Sequence, residues 1–450
     1  VPLFESDDLV NWTQIGHVLT RKNQVELEKV NSSGGVFAPT IRYNNGRFYM
    51  VTTNDTTHRN FYVYTDDIHG EWSDPITIDQ DGIDPSLYFE DGRAFFISNG
   101  TDCEGKGGVV QCEINIETGE KLTESRCIWQ GSGGRYLESP HMYKIGKYYY
   151  LMAAEGGTEY GHMITYARSE SVWGKFEGYP HNPVLTNRNK APFIIQGIGH
   201  GDLIQDKNGE WHIICLGFRQ IHMWMTYHHL GRECFLIPVT FHEDGWFTAG
   251  NGTCEESYEL SGDFAQLPLK TYTLENIGHD ICHLRHPHTE NYSITKDKIT
   301  LKGTDVTLDD VASPTFAGVR QRDFDMDCSV SVSVSDGEGG LTVYSCETEH
   351  YDLALRKNEG GYEAILRLNI GGIRHIEKAV QIPSGDAKLI IRSDSQVYKF
   401  FVQSQGEEIP MGFAMSKYLS SEVCGGFTGT VIGMYAVKGS AEFTDLRISY

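Results

Sequence analysis

From Phe324 through Met326, Cys328, Val330 and Val332 to Val334, every second residue is apolar and the intervening ones are polar. A period of two sends alternate side chains to opposite faces, so this stretch predicts a β-strand with one face buried. Further strands are predicted at Leu341–Ser345, Glu363–Asn369, Lys388–Arg392, Val397–Gln403 and Ala441–Ser449, separated by Gly-rich turns. Many short antiparallel strands of this kind predict a β-sandwich of the jelly-roll or concanavalin-like type for the C-terminal part.

The first half of the chain repeats itself. Ala38–Val51, Asp84–Ile97 and Ser139–Met152 each read as a short strand, a Gly turn and a second strand rich in aromatic and β-branched residues. Gly201–Ile214 is a looser copy, and successive copies start 46, 55 and 62 residues apart. Further strands, such as Phe61–Tyr64 and Trp72–Ile78, fall between copies. Four strands per unit of this length predict a β-propeller. A second recurring element, Asp66–Trp72, has counterparts at Ser169–Lys175 and Asp8–Trp12. In the unit that opens at Ala38 it lies 28 residues after the start. The unit containing Asp8 is therefore expected to open about 20 residues before Val1, which makes five blades with the first incomplete.

All seven Trp precede residue 250. This shift predicts a propeller over residues 1–255, a linker or domain seam over 256–290, and the sandwich over 291–450.

Charge and composition narrow the functional classes. Across 450 residues, 38 Lys+Arg against 61 Asp+Glu leave a net charge of −23. Such a surface repels phosphate backbones and anionic membranes, so neither nucleic acid nor membrane is an expected partner. No apolar run reaches bilayer-spanning length. The ten Cys form no CxxC pair, which excludes zinc-ribbon and thioredoxin-type motifs and favours reduced thiols. Six Asn-x-Ser/Thr sites begin at Asn11, Asn31, Asn54, Asn99, Asn251 and Asn291. They leave the compartment open between cytoplasmic and secreted, and a homo-oligomer is equally open.

The innermost strands of a propeller begin at one mouth of the central channel. Phe37, Asp84, Glu138 and His200 stand at those starts. Two carboxylates sharing a partly desolvated funnel push their pKa values apart, so that one holds a proton near neutrality. Glycoside hydrolysis needs carboxyls of that kind. The competing reading is that Asp84 and Glu138 only hydrogen-bond strand ends. Elsewhere, His222, His228 and His229 flank Trp224 and Tyr227 and read as a pocket-rim loop, without acidic or Cys partners at metal-ligand spacing. Glu155 reads as a residue supporting the site or as a buried, satisfied acid. Gly131–Arg135 reads as a turn, since no Lys or helix follows to make a phosphate loop. Glu347–His350 has no His at its front end and is not a zincin motif.

The segments Gly82–Leu87, Leu137–Lys144, Ala154–Met163 and Gly199–Leu203 resemble glycoside hydrolase family 43, in its β-xylosidase and α-L-arabinofuranosidase branch. The resemblance runs from Val1 to the C-terminus and includes Asn291–Ser293 and Ser313–Phe316. It implies an inverting exo-acting enzyme that releases terminal α-L-arabinofuranose or β-D-xylose from xylan- or arabinoxylan-derived oligosaccharides. No cofactor is implied for the chemistry. By position, Glu138 matches the general acid and Asp84 the carboxylate that raises its pKa. Arg219, Thr158 and Phe37 match sugar-binding positions. His200 matches a central histidine that binds substrate and is often near a structural calcium. Phe427 matches an aromatic carried to the site rim by the appended domain. Val36–Thr40 leans toward the arabinofuranosidase side. The family's catalytic base is an Asp in an Asp-Pro motif on the first blade, and none precedes Val1-Pro-Leu-Phe. This chain is therefore expected to be inactive until an upstream segment is restored. A non-catalytic sugar-binding propeller is the rival reading, and a protein-interaction propeller a third. Ser139 follows Glu138 where Gly is usual, which matters only if the backbone there has a positive φ.

Overall fold

The computed structural model describes residues 1–221, 224–259 and 266–450. Within them the chain builds four four-stranded antiparallel sheets in direct succession. They are β3–β6 (Thr40–Asn44, Arg47–Asn54, Arg59–Thr65, Ile76–Ile78), β7–β10 (Ser86–Glu90, Arg93–Thr101, Gly107–Ile114, Arg126–Trp129), β11–β14 (Glu138–Ile145, Tyr148–Glu155, Met163–Ser169, Glu177–Gly178) and β15–β18 (Ile195–Gln205, Trp211–Arg219, Glu233–Phe241, Phe247–Ala249). A two-stranded sheet precedes them, β1 (Pro2–Glu5) with β2 (Thr13–His17). These are the blades of a propeller, and each repeat read from the sequence is the inner hairpin of one blade. Asn45-Gly46 and Asp91-Gly92 close two of those hairpins with positive φ at both residues, as a tight turn matched to strand twist requires. Only Ile76–Ile78 of the expected Trp72–Ile78 strand is extended and paired; Trp72 is buried just before it.

The apolar cores lie in the seams between blades. Tyr49, Val51 and Tyr62 meet Leu87, Ala94 and Phe96. Phe95, Ile97 and Val109 meet Met142, Leu151 and Ala153. Tyr150, Met152 and Tyr166 meet Leu203, Ile213 and Phe247. The Tyr166 ring stacks on Phe247 with centroids 3.9 Å apart, and its hydroxyl donates to the Phe247 carbonyl at 2.8 Å.

Toward the channel the packing is polar. Arg42 on β3 donates to both carboxylate oxygens of Asp202 on β15, at 2.7 and 3.1 Å. The same guanidinium lies 2.9 Å from Nδ1 of His141 on β11. Tyr143, also on β11, donates its hydroxyl to Asp202 and accepts the Leu203 N–H at 2.9 Å. One ion pair with its hydrogen bonds thus joins the inner strands of three blades. Burial opposes ionisation of Asp202, but the attraction of Arg42 together with the hydrogen bonds from Arg42 and Tyr143 and the neighbouring His141 holds the carboxyl well below its ordinary range. Burial pushes His141 down to about 3, so its ring is neutral.

The chain divides into two compact units. The first comprises Val1–Val25, Gly34–Gln220 and Glu233–Gln266; the second comprises Glu26–Ser33, Ile221–Arg232 and Leu267–Tyr450. The second unit is a concanavalin-like β-sandwich built on a twelve-stranded sheet. The alternation at Met326, Cys328, Val330, Val332 and Val334 is borne out, and all five side chains are buried in its core. The strand is longer than predicted, Met326–Cys346, and pairs along its length with Val431–Ser449. Glu349–Asn358, Ile373–Ile382 and Glu407–Met415 add strands not expected from the sequence. The segment 26–33 is bound within this unit. Arg285 donates to the Val30 carbonyl at 2.7 Å and pairs with Glu347, which also accepts from the Ser32 backbone and hydroxyl at 3.1 and 3.0 Å.

The Arg42–Asp202 pair yields a stability prediction. Removing one partner strands the other charge, which costs about 3–5 kcal/mol for a fully buried pair. The Asp202 side chain is 38% accessible, so Asp202→Ala is expected to cost about 2–3 kcal/mol. Urea unfolding followed on a propeller tryptophan checks it, and an unchanged midpoint would contradict the assignment.

Candidate active site

Asp84 and Ser139 stand beside the starts of β7 and β11, whereas His200, expected at a strand start, lies in the middle of β15 where its register breaks; their φ values are 52°, 48° and 45°. None is Gly, so each pays about 1–2 kcal/mol for a left-handed backbone. Strain of this kind collects at functional sites, where the surrounding fold enforces it. Strand register also breaks between Glu138 and His141, and between Gln196, Gly199 and Asp202. Such bulges re-aim side chains. The loops leave no room to relax. A Cβ on Gly82 (φ 93°) would lie 1.6 Å from the Asn99 carbonyl oxygen, and one on Gly199 would enter the His162 ring.

The kinked starts bring Asp84, Glu138 and His200 together. Oδ2 of Asp84 is 3.7 Å from Nδ1 of His200, with both side chains largely buried. His200 stands edge-on to His141, with ring centroids 5.9 Å apart, so this group lies directly against the Arg42–Asp202 cluster. Glu138 opens β11. Burial, and then the negative charge of Asp84, push its carboxyl up to about 7. A carboxyl at that value is protonated in roughly half the molecules at pH 7. It can donate a proton and be reprotonated from water, as general acid catalysis requires.

Ser139 meets the condition that the sequence left open: its φ is positive. Its side chain is buried and Oγ has no hydrogen-bond partner. A Gly there would avoid both costs.

The other expected site residues are placed more widely. Arg219 ends β16 and donates through Nε and Nη2 to Glu233 at 2.9–3.1 Å. Its backbone is in register with Ile195, the first residue of β15. Thr158 lies half-buried in the loop between β12 and β13. Phe37 is half-buried beside β4, where its N–H donates to the Thr53 carbonyl at 3.0 Å and its carbonyl accepts from the Thr52 hydroxyl at 2.7 Å. Phe427 belongs to the second unit. Its N–H donates to the Ser33 hydroxyl at 2.9 Å, and its ring faces the Arg232 guanidinium at 4.9 Å.

Of the remaining candidates, Glu155 is a buried, satisfied acid. It accepts from the N–H groups of Ser132 and Gly134 at 2.7 and 2.5 Å and from the Thr165 hydroxyl at 2.8 Å. The Gly131–Arg135 turn thus wraps a carboxylate. His228 pairs with Glu422 at 2.8 Å, and His229 packs between Phe324 and Tyr398. His222 lies outside the described residues. Glu347 pairs with Arg285, while His350 bonds Asp352 at 2.9 Å and Asp309 at 3.2 Å. All ten cysteines are free thiols.

Sequence reasoning missed Arg42, His141, Tyr143 and Asp202. Their signal was present as polar residues recurring within otherwise apolar repeat strands. Glu233, the partner of Arg219, carried no such signal.

Comparison with known proteins agrees with this architecture. The pattern of glycosyl hydrolases family 43 matches residues 1–247, and that of the beta xylosidase C-terminal concanavalin A-like domain matches residues 270–447. A non-reducing end alpha-L-arabinofuranosidase of Bacteroides ovatus is 37% identical, across 97% of this chain and 84% of its own length. A xylosidase/arabinosidase of Butyrivibrio fibrisolvens is 31% identical, across 97% and 89%. Among solved structures, a xylan beta-1,4-xylosidase from Bacillus halodurans superposes with a TM-score of 0.91 at 27% identity, covering 100% of this chain and 93% of that one. Blades, appended sandwich and matched patterns agree that the chain is a glycoside hydrolase and belongs to glycosyl hydrolase family 43.

Proposed function

We propose that the protein is an inverting, exo-acting glycosidase that releases terminal α-L-arabinofuranose, and secondarily β-D-xylose, from arabinoxylan- or xylan-derived oligosaccharides. The observation that carries this reading is Glu138, a carboxyl held near pKa 7 at the mouth of the propeller by burial and by Asp84. Glu138 protonates the leaving glycosidic oxygen. The charge of Asp84 raises the pKa of the acid, and Asp84 orients it. Inversion also needs a carboxylate that activates water on the opposite face of the sugar; Asp84, spent on Glu138, is not that group. Arg219, pre-oriented by Glu233, hydrogen-bonds the sugar, with Thr158, Phe37 and His200 lining the same subsite. The two sugars share hydroxyl geometry away from the anomeric carbon, so one pocket takes both. The 37% identity to a named arabinofuranosidase, across 97% of this chain and 84% of that protein, supports the order of preference.

The chemistry needs no cofactor. A calcium ion at His200 fits the residues poorly. Calcium takes about six to eight oxygen ligands, whereas His200 offers ring nitrogens, one of them 3.7 Å from Asp84. No step is assigned to a metal.

In a chain that also carries the water-activating carboxylate, Glu138→Gln is expected to lower turnover of unactivated oligosaccharides by roughly 100- to 10,000-fold and to spare aryl glycosides with good leaving groups. Equal losses on both would remove the acid assignment. The rate should fall as pH rises through about 7, where Glu138 loses its proton. Asp84→Asn removes a nearby negative charge, so the Glu138 pKa falls and this alkaline limb moves to lower pH. Carbon-detected NMR of the Glu138 carboxyl reads the same shift without turnover, and a titration unmoved by Asp84→Asn would sink the pairing.

Two further tests follow. Aryl α-L-arabinofuranoside is expected to be hydrolysed with higher kcat/KM than aryl β-D-xyloside, with the inverted anomer appearing first by proton NMR. Sugar binding without turnover in an otherwise competent enzyme would favour a non-catalytic lectin-like role. Ser139→Gly should stabilise the fold by about 1 kcal/mol through relief of left-handed strain; a lower Tm would show that the buried hydroxyl is used.

A further inference from the structure

Outside the propeller mouth, one cluster in the sandwich unit brings thiols and a carboxylate together. Cys346 ends the strand Met326–Cys346, Glu349 opens the strand Glu349–Asn358 across a tight turn, and Cys424 ends the helical turn Ser421–Cys424. One ligand atom from each lies within 4.8 Å of the other two. We infer that Cys346, Glu349 and Cys424 form a binding site for a single thiophilic divalent cation of the zinc class.

The donor set suits that ion. Two thiolates with one carboxylate is a soft-to-borderline combination that favours zinc over calcium or magnesium. Around tetrahedral zinc, such ligand atoms stand about 3.5–4 Å apart, so modest side-chain rotations close the site. In the protein the Cys346 thiol donates to Oε2 of Glu349 at 2.8 Å; a proton holds the position that the cation would take. The carboxylate is already oriented. It is buried, Oε1 accepts the Gly371 N–H at 2.9 Å, and Oε2 accepts the Thr348 hydroxyl at 2.5 Å. The Ser345 hydroxyl donates to Cys424 Sγ at 3.4 Å. Outer contacts of this kind fix ligand orientation in metal sites. Loading a cation displaces both thiol protons to solvent, and three protein ligands leave one coordination position for water.

The site links a strand turn to the helical turn that leads into Gly425–Thr430, the loop carrying Phe427. It owes nothing to the sugar chemistry, so it stands or falls separately from the proposed activity.

The test uses the full chain, reduced and stripped of metal. Zinc competed against a chromophoric chelator should bind at one equivalent. Cobalt(II) in its place should give a thiolate-to-cobalt charge-transfer band. Cys346→Ser and Cys424→Ser should each abolish that band, and Glu349→Gln should weaken zinc binding roughly 10- to 100-fold. Cys103→Ser, at an exposed thiol, should change neither. If the cysteine variants fold poorly, the wild-type chain still decides: zinc should protect Cys346 and Cys424, among the ten thiols, from iodoacetamide. Absent protection, a cobalt band that survives Cys346→Ser, or a Cys346–Cys424 disulfide forming while zinc is ignored would each overturn the site.

Discussion

The propeller turns on the ion pair between Arg42 and Asp202. Its apolar cores lie in the seams between neighbouring blades, and none of these seams reaches across the axis. What crosses is a guanidinium on one inner strand, a carboxylate on another, and a tyrosine with a histidine on a third. Burying such a pair has a desolvation cost that the attraction only offsets when every polar atom is well bonded. The fork of Arg42 engages both oxygens of Asp202 and the Tyr143 hydroxyl adds a further bond, while Nε2 of His141 is left buried without a partner. Because Tyr143 and His141 belong to the strand that Glu138 opens, the ion pair also fixes where that carboxyl stands.

The field at the mouth then follows simply. Arg42 and Asp202 cancel at a distance, and His141 is neutral. Asp84 is left as a close negative charge beside Glu138, acting in a partly dry setting. Burial and one like charge suffice to move a carboxyl from its ordinary range to about 7. Three left-handed residues, two at strand starts and His200 within the bulged β15, deliver these groups to one place. The fold therefore bears local strain where the chemistry is proposed to occur.

What was legible in the sequence is what is encoded locally. Asn45-Gly46 and Asp91-Gly92 announce hairpins through backbone conformations that few other residues adopt. The alternation from Met326 to Val334 announces a one-sided strand. Equivalent positions in successive repeats announced that Asp84 and Glu138 converge. Arg42 and Asp202 escaped notice because they lie 160 residues apart in sequence, and nothing in either segment names the other. The full length of Met326–Cys346 was hidden for a related reason: its pairing with Val431–Ser449 passes through register shifts near Val334 and Asp336 that interrupt a clean alternation. Ser139 is the intermediate case. The sequence posed the question of its φ, and only the folded backbone answered it.

The second unit is discontinuous along the chain. Residues 26–33 and 221–232 belong to it, although each is flanked on both sides by propeller sequence. Arg285 and Glu347 bind the first of these segments, and Glu422 binds His228 of the second. A fragment beginning at Leu267 would leave those charged groups facing water instead of their partners. The sandwich is therefore not a portable appendage that recombination could move to another enzyme by a single crossover. During synthesis its earliest pieces emerge from the ribosome long before the strands that receive them, so its completion waits for nearly the whole polypeptide.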